Sequence, residues 1–377
     1  MALLRTFTKR ACIIANIVVV ALFLLACANS FLHPERWWLI SLLGLVFPLL
    51  LLLVTGFAVF WLFFYSRWLS VISIVALLIG WQDIHSFFAF NFPRKFDSAR
   101  SPHTLRVMTW NVRRWDEFIT RKAGASGHRV RMLDFVRQQN ADVLCFQEFF
   151  EPHNAKGFTE NIPYIQQQLG YPYYFFSHDY RGNGGMYETG VIIFSRYPIV
   201  NTLQIKYGSP DSIKASESLI LADLDINGKK IRVFTTHLQS VLFRNKDFRD
   251  FQIIRNVEDS MLEASKSIAK KLKRAYSLRS SQADTVRAQL DKSPYPLLIC
   301  GDFNDVPNSY SYFHILGSRQ DAFIERGFGI GRTYVHLSPT LRIDYILADK
   351  SFGVLQCAKF PLPYSDHHPL VADLQLP

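Results

Sequence analysis

The sequence predicts a helical membrane-spanning domain followed by an α/β domain whose sheets are covered by helices. Three observations predict it. Between Ala11 and Gly80 the chain carries only three charged side chains, Glu35, Arg36 and Arg67. Beyond residue 91, apolar strand-like runs alternate with amphipathic helix-like ones. Five of the strand-like runs end on polar or ionisable groups, and the carboxyl ends of buried strands are where α/β folds build sites.

The apolar start is read as a membrane domain over residues 1–90. Ala11–Leu32 is a single run long enough to span a bilayer. Trp37–Tyr65 is longer than a straight crossing needs, so it tilts or extends into the interface, with the Trp37-Trp38 pair as an interfacial anchor. Trp68–Trp81 is weaker, and continuing it to about residue 88 brings in Gln82, Asp83 and His85. Three transmembrane helices are expected, over about 11–32, 37–65 and 68–88. The basic start Arg5, Lys9, Arg10 also suits a cleaved signal peptide, but a second span directly behind the first favours an uncleaved domain. The same basic start favours a cytoplasmic N-terminus, and three crossings then place the rest of the chain on the extracytoplasmic side. Arg94, Lys95, Arg100 and Arg106 pull the other way.

Of 42 Lys/Arg and 31 Asp/Glu, five and one lie in the first 81 residues, which leaves the remainder at +7. A basic remainder suits a polyanionic or phosphate-bearing partner, or an anionic membrane surface. Cys12 and Cys27 lie in the first span, and Cys145, Cys300 and Cys357 show no paired spacing, which argues against a disulfide framework or a zinc site.

Residues 91–103, with Pro93 and Pro102, read as a linker, and 104–377 as the α/β domain. Leu105–Val112 is a strand ending on Trp110-Asn111. Arg129–Gln139 is an amphipathic helix, followed by the strand Ala141–Phe146 ending at Gln147-Glu148. A short helix near Ile162–Leu169 precedes strands over Tyr171–Phe176 and Gly190–Phe194, which flank a glycine-rich loop. Asn227-Gly228 predicts a hairpin between Ser218–Ile226 and Lys230–Thr236, the second strand ending at His237. Asp247–Leu290 is charged and helix-favouring, with a break near Ser277–Ser281. Its run Lys266–Arg279 reads as an exposed helix face that could approach lipid headgroups or a polyanion.

The stretch the domain is organised around is Leu297–Asp305: four apolar residues, a glycine for a sharp turn, then Asp302, Asn304 and Asp305. Arg342–Leu347 and Leu370–Leu376 close the domain, with Ser365-Asp366-His367-His368-Pro369 between them. Asp344, flanked by Ile, Tyr, Ile and Leu, is costly to bury unless paired, and a histidine is the expected partner. Amides, several carboxylates and two histidines together suit Mg²⁺, Mn²⁺ or Ca²⁺ rather than zinc. A cation of that kind neutralises charge on a phosphoryl group while a carboxylate or histidine positions water. His178, Asp179 and Glu188 flank the glycine-rich loop and could touch substrate, but read first as solvated loop residues.

TWN, QE, TTHL, GDFND, RIDYIL and SDHHP, in this order, resemble the endonuclease/exonuclease/phosphatase (DNase I-like) superfamily over roughly residues 104–377. The resemblance implies a four-layer α/β sandwich, two mixed sheets between helices. It implies Glu148 as principal metal ligand, with Asn111 beside it and Asp366 near or on a metal taken as Mg²⁺, with Mn²⁺ or Ca²⁺ also accommodated. Asp302 would orient or deprotonate water. Asn304, His237 and His367 would hold the phosphate, with His367 fixed by Asp344. Arg113 stands where abasic-site endonucleases carry an aspartate, as in the DNase I-like branch, and is placed with the phosphate-binding residues. No acidic partner for His237 is evident upstream, where Tyr173 and Tyr174 stand instead.

The expected function is a membrane-anchored, divalent-metal-dependent phosphoesterase cleaving phosphodiesters, nuclease-like first. The alternatives are a sphingomyelinase-like phospholipid headgroup phosphodiesterase, a phosphomonoesterase, or an inactive tethered binding module. Partners are the membrane and a nucleic acid or phospholipid substrate, with no obligate protein partner. The loop after His237, with Val241–Arg244 and Phe248–Phe251, mixes apolar and basic character and does not choose between substrates.

Overall fold

The computed structural model describes residues 2–64, 66–118, 127–153, 158–207, 217–241 and 261–377. The N-terminal helices are α1 (Ala2–Ala28), α2 (Pro34–Phe64), α3 (Arg67–Ile79) and α4 (Trp81–Phe87). Two of them, from Thr6 in α1 and over the whole of α2, are long and apolar enough to cross a membrane. The third expected span is a bent pair, α3 and α4, turned by 63°. The break falls at Gly80, where a Cβ would lie 2.7 Å from the Phe23 ring, so only glycine lets α1 pass there.

The α/β part contains two mixed sheets. One has β2 (Thr104–Asn111), β3 (Val143–Pro152), β4 (Tyr173–Phe176), β6 (Tyr187–Ser195), β14 (Gly353–Lys359) and β15 (Leu370–Gln375) in the order β14-β15-β2-β3-β6-β4, with β5 (Tyr180–Gly182) paired to β6. The other has β7 (Ile199–Lys206), β8 (Ser218–Ile226), β9 (Lys229–His237), β10 (Leu297–Asp302), β11 (Gln320–Asp321) and β13 (Asp344–Ala348) in the order β11-β13-β10-β9-β8-β7. A two-stranded ribbon pairs β1 (Ala89–Phe90) with β12 (Phe328–Gly329). The helices are α5 (His128–Gln139), α6 (Ile162–Leu169), α7 (Met261–Leu290), α8 (Tyr310–Leu316) and α9 (Ala322–Arg326).

Strand periodicity explains the layering. On β2, β3 and β6 one set of alternate residues, including Val107, Cys145 and Ile193, meets Ala222, Val233, Cys300 and Ile346 of the second sheet. The other set, including Trp110, Phe146 and Phe194, packs under α5 and α6 through Leu133, Val136 and Ile165. Each large side chain buried this way contributes about 1.5–3 kcal/mol. The β8–β9 turn is the expected one, with Asn227 and Gly228 at φ 55° and 85°.

Several expectations are corrected. β3 does not stop at Glu148; pairing with β6 shifts register between Phe146 and Phe149 and then runs on to Pro152. α7 is continuous through 277–281 from Met261 onward, because Ala275, Tyr276, Arg279, Ser280 and Ala283 are buried and hold it. Its expected start, with most of the mixed apolar and basic loop, lies outside the described residues. The proline-bearing segment after β1 is tied down rather than loose: Asn91 donates to Ile324 and Gly327 carbonyls, and the Asp97 carbonyl accepts from Arg106. All five cysteines are free thiols.

The chain divides into two compact units, one of residues 1–88, 240–281 and 306–314, the other of the remainder. Within the first, Asn16 Oδ1 accepts from Ser73 Oγ at 2.8 Å, joining α1 to α3. Asn29 Nδ2 donates to the Asn308 carbonyl and Ser86 Oγ to the Pro307 carbonyl, both at 3.0 Å.

Candidate active site

The hydrogen-bond ladder itself lines up three ionisable side chains. Asp302 ends β10 and pairs with His237 on parallel β9 and with Asp344 on antiparallel β13. Adjacent strands lie about 4.8 Å apart, so such a row puts like-facing side chains within reach of one another. Asp302 is fully buried. Its Oδ2 accepts from Asn111 Nδ2 at 3.0 Å and lies 3.7 Å from Nε2 of both His237 and His367. Its Oδ1 accepts from the Asn304 backbone N–H at 2.8 Å.

β10 can lie this close to β9 because of Gly301. At φ 149°, a Cβ there would sit 2.1 Å from the Thr236 carbonyl oxygen. The glycine serves a close approach between strands rather than a turn after them.

Asn111, at the end of β2, also donates to Glu148 Oε1 at 3.3 Å. Glu148 sits in the β3 irregularity with φ 49°, a conformation that costs an L-residue roughly 1–2 kcal/mol. The bulge re-aims a side chain that regular alternation would send elsewhere. Arg113 follows in a left-handed run, Arg113–Asp116, with φ between 46° and 58°. Trp115 anchors that run, its ring 5.5 and 5.7 Å from Phe146 and Phe149. Arg113 donates its backbone N–H to Asn111 Oδ1 at 3.0 Å, and its Nε lies 3.3 Å from Asp366 Oδ2.

His367 is held on every side. Nδ1 lies 2.9 and 3.2 Å from the Asp344 oxygens, and its carbonyl accepts from Trp110 Nε1 at 2.9 Å. Ser365 Oγ accepts from the His367 N–H and donates to the Asn111 carbonyl. Burial opposes charge on the ring, but Asp344 foremost, then Asp302 and Asp366, push its pKa up to about 10. Burial pushes the Asp344 carboxyl up while His367 pulls it back, so the pair keeps a proton at neutral pH. His368 next to it is the reverse: burial, with Lys359 and Arg332, pushes its ring down to about 4.

Asn304, at φ 51°, uses one amide N–H on the Leu238 carbonyl at 2.8 Å and keeps the other. Tyr334 and Thr333 carried no signal in the sequence. Thr333 Oγ1 accepts from the Ile343 and Asp344 N–H groups, and the Tyr334 ring lies tilted against His367, ring centres 5.0 Å apart. Ser365 and Trp110 lie inside the SDHHP and TWN motifs, whose spacing does not encode their bonds to His367. Glu188 is a correction: it is a buried β6 residue, not a solvated loop residue, and it binds His153, His178 and Arg181. Burial opposes its charge, yet those three partners hold its carboxyl down at about 2.

The donor set fits a hard cation. Burial, then Asp366 and Asp302, with a smaller part from Glu148, hold the Tyr334 phenol up at about 12 against the opposing charge of Arg113, so three carboxylates act on one point. Among the described residues, the acidic–histidine group whose ligand atoms all lie within 4.8 Å of one another is Asp302, Asp344 and His367. Of the expected metal set, Asn111 and Glu148 touch directly, and Asp366 joins them through Arg113.

A model of the endonuclease/exonuclease/phosphatase family matches residues 108–367, more than half of the chain. The chain belongs to that family. Its members are phosphoester-hydrolysing enzymes, generally dependent on divalent metals. Residues 9–87 match a separate domain of unknown function. Among solved structures, an endonuclease/exonuclease/phosphatase from Beutenbergia cavernae DSM 12333 is 21% identical with a TM-score of 0.51, covering 73% of this chain and 72% of that one. The human Nocturnin catalytic domain with bound sulfate is 19% identical with a TM-score of 0.49, covering 72% and 93%. D. rerio TDP2 complexed with a single-strand DNA product is 15% identical with a TM-score of 0.47, covering 72% and 98%. No curated protein matches.

Proposed function

We propose that this family member is a membrane-anchored, Mg²⁺-dependent phosphodiesterase acting on nucleic acid. The observation that carries the reading is the buried Asp302 carboxylate, flanked at 3.7 Å by two imidazoles and pinned at both oxygens. Glu148, Asn111 and Asp366 would hold the cation, which would supply charge neutralisation at the phosphoryl oxygens. Asp302 orients the attacking water and accepts its proton as the new P–O bond forms and the ester bond breaks in line. His367, kept protonated by Asp344, and His237 donate to phosphate oxygens from either side. Asn304 offers its remaining amide N–H, and Arg113 adds positive charge at the rim. The basic remainder of the chain and Arg113 favour a polyanionic substrate. The long apolar α1 and α2 favour a second reading, a phospholipid headgroup phosphodiester.

The test uses the full chain in detergent, with Mg²⁺ or chelator, on plasmid DNA, single-stranded RNA, sphingomyelin or phosphatidylinositol vesicles, and bis(p-nitrophenyl) phosphate. Chelator-sensitive nicking is expected. Headgroup release without nicking transfers the reading to lipid, and silence on every substrate by a folded protein overturns it.

A further inference from the structure

The α7 face over residues 266–274 has no part in this site. Lys266, Lys270, Lys273 and Arg274 are all exposed, and their spacing places them on one face of the helix. The opposite face is buried through Ile268, Ala275 and Tyr276. Glu263 is the acidic side chain on the described start of the helix. This segment belongs to the same compact unit as α1–α4.

Its depth is marked. Lys273 Nζ lies 5.7 Å from the centre of the Trp38 ring. Trp38 and the half-exposed Trp37 open α2, immediately before its apolar run, the position tryptophans take at a membrane–water boundary. The same end of the unit is fixed by His33 against Tyr310, ring centres 4.9 Å apart. A basic stripe is thus tethered to the residue that sets the interface.

We propose that this stripe binds the anionic phospholipid headgroups of the bilayer that α1 and α2 cross, laying α7 along the membrane surface. The inference rests on the anchored reading above, not on the catalytic one. Each lysine or arginine near an anionic surface is worth about a fivefold gain in occupancy, and salt screens it.

The experiment is hydrogen exchange on the full chain in nanodiscs of phosphatidylcholine alone or mixed with phosphatidylglycerol. With phosphatidylglycerol, amides across 266–274 are expected to exchange at least about tenfold more slowly, an effect lost at high salt. It should also be lost in the Lys266→Gln/Lys270→Gln/Lys273→Gln/Arg274→Gln variant and kept when lysine and arginine are interchanged. Equal exchange of the wild-type chain in both discs overturns the proposal without any variant. Extraction of the chain from membranes by alkaline carbonate would instead sink the anchored reading itself.

Discussion

Replacing Asp344 by asparagine removes the charge behind His367 while keeping the side chain's shape. The His367 pKa rises from 6.5 to about 10, a difference worth about 5 kcal/mol of preference for the charged ring, net of the burial that opposes it. Asp344, Asp302 and Asp366 share that effect, and Asp344 alone of the three has an oxygen as close as 2.9 Å. About half is assigned to it, roughly 2–3 kcal/mol, or about 30–150-fold in kcat/KM if the charged ring contacts the transition state. The sign follows from a raised histidine: the stabilisation is complete below pH 6.5 and is lost as pH rises through about 10. Asp344→Asn should therefore leave the ring largely charged at pH 7 and cut bis(p-nitrophenyl) phosphate hydrolysis progressively as pH rises, approaching that factor near pH 10. In chelator, it should also lower the titration of the ¹³C-labelled His367 ring by about two pH units. A ring titrating as in the wild type, or kcat/KM within about threefold of it near pH 10, would refute the assignment.

Gly301→Ala should separate β9 from β10, since its Cβ would meet the Thr236 carbonyl at 2.1 Å. A loss of about 1–3 kcal/mol in stability and of most activity is expected, and a thermal melt unchanged from wild type would contradict it. Glu151, buried on β3, accepts from the Asn161 and Ile162 N–H groups, and burial raises its pKa from 4.5 to about 7. A raised carboxyl favours the fold most below pH 4.5 and costs up to about 3 kcal/mol above pH 7. Glu151→Gln should therefore melt higher than wild type at pH 8 and alike at pH 4, and the opposite order refutes the sign.

The sequence made legible what burial and spacing encode strongly. α5 lies where its apolar spacing predicts, and the β8–β9 hairpin follows from Asn227-Gly228. β7 and β14 carried no clear signal because they are edge strands, and β7 leaves Val200–Leu203 exposed, so no clean alternation survives. The site residues were visible at strand ends, but their relations were not. The β3 bulge that turns Glu148 toward Asn111 depends on where β6 resumes pairing, a register between distant segments. Tyr334 and Thr333 come from a stretch without periodicity, and only the fold brings them beside His367 and Asp344. Glu188 was misread because a charged residue near glycines resembles a turn, whereas its partners His153 and His178 come from other segments.

The turn that carries Asp302 and Asn304 continues directly into residues 306–314, which pack in the helical unit. There the Pro307 and Asn308 carbonyls take their hydrogen bonds from Ser86 and Asn29, and Gly44 leaves space beside Val306 and Asn308. Cutting the chain at residue 91 removes both donors and leaves two backbone carbonyls to find water. Each hydrogen bond exchanged for water forfeits about 0.5–1.5 kcal/mol, so 306–314 gains freedom at the point where the chain leaves the Asn304 turn. The truncated protein is expected to be cleaved by protease within 303–316 faster than the full chain, and to show a raised KM before any fall in kcat. Ser86→Ala in the full chain should reproduce part of both effects. Equal protease resistance and equal KM in the truncated and full chains would show that the helices hold the protein in place without shaping its site.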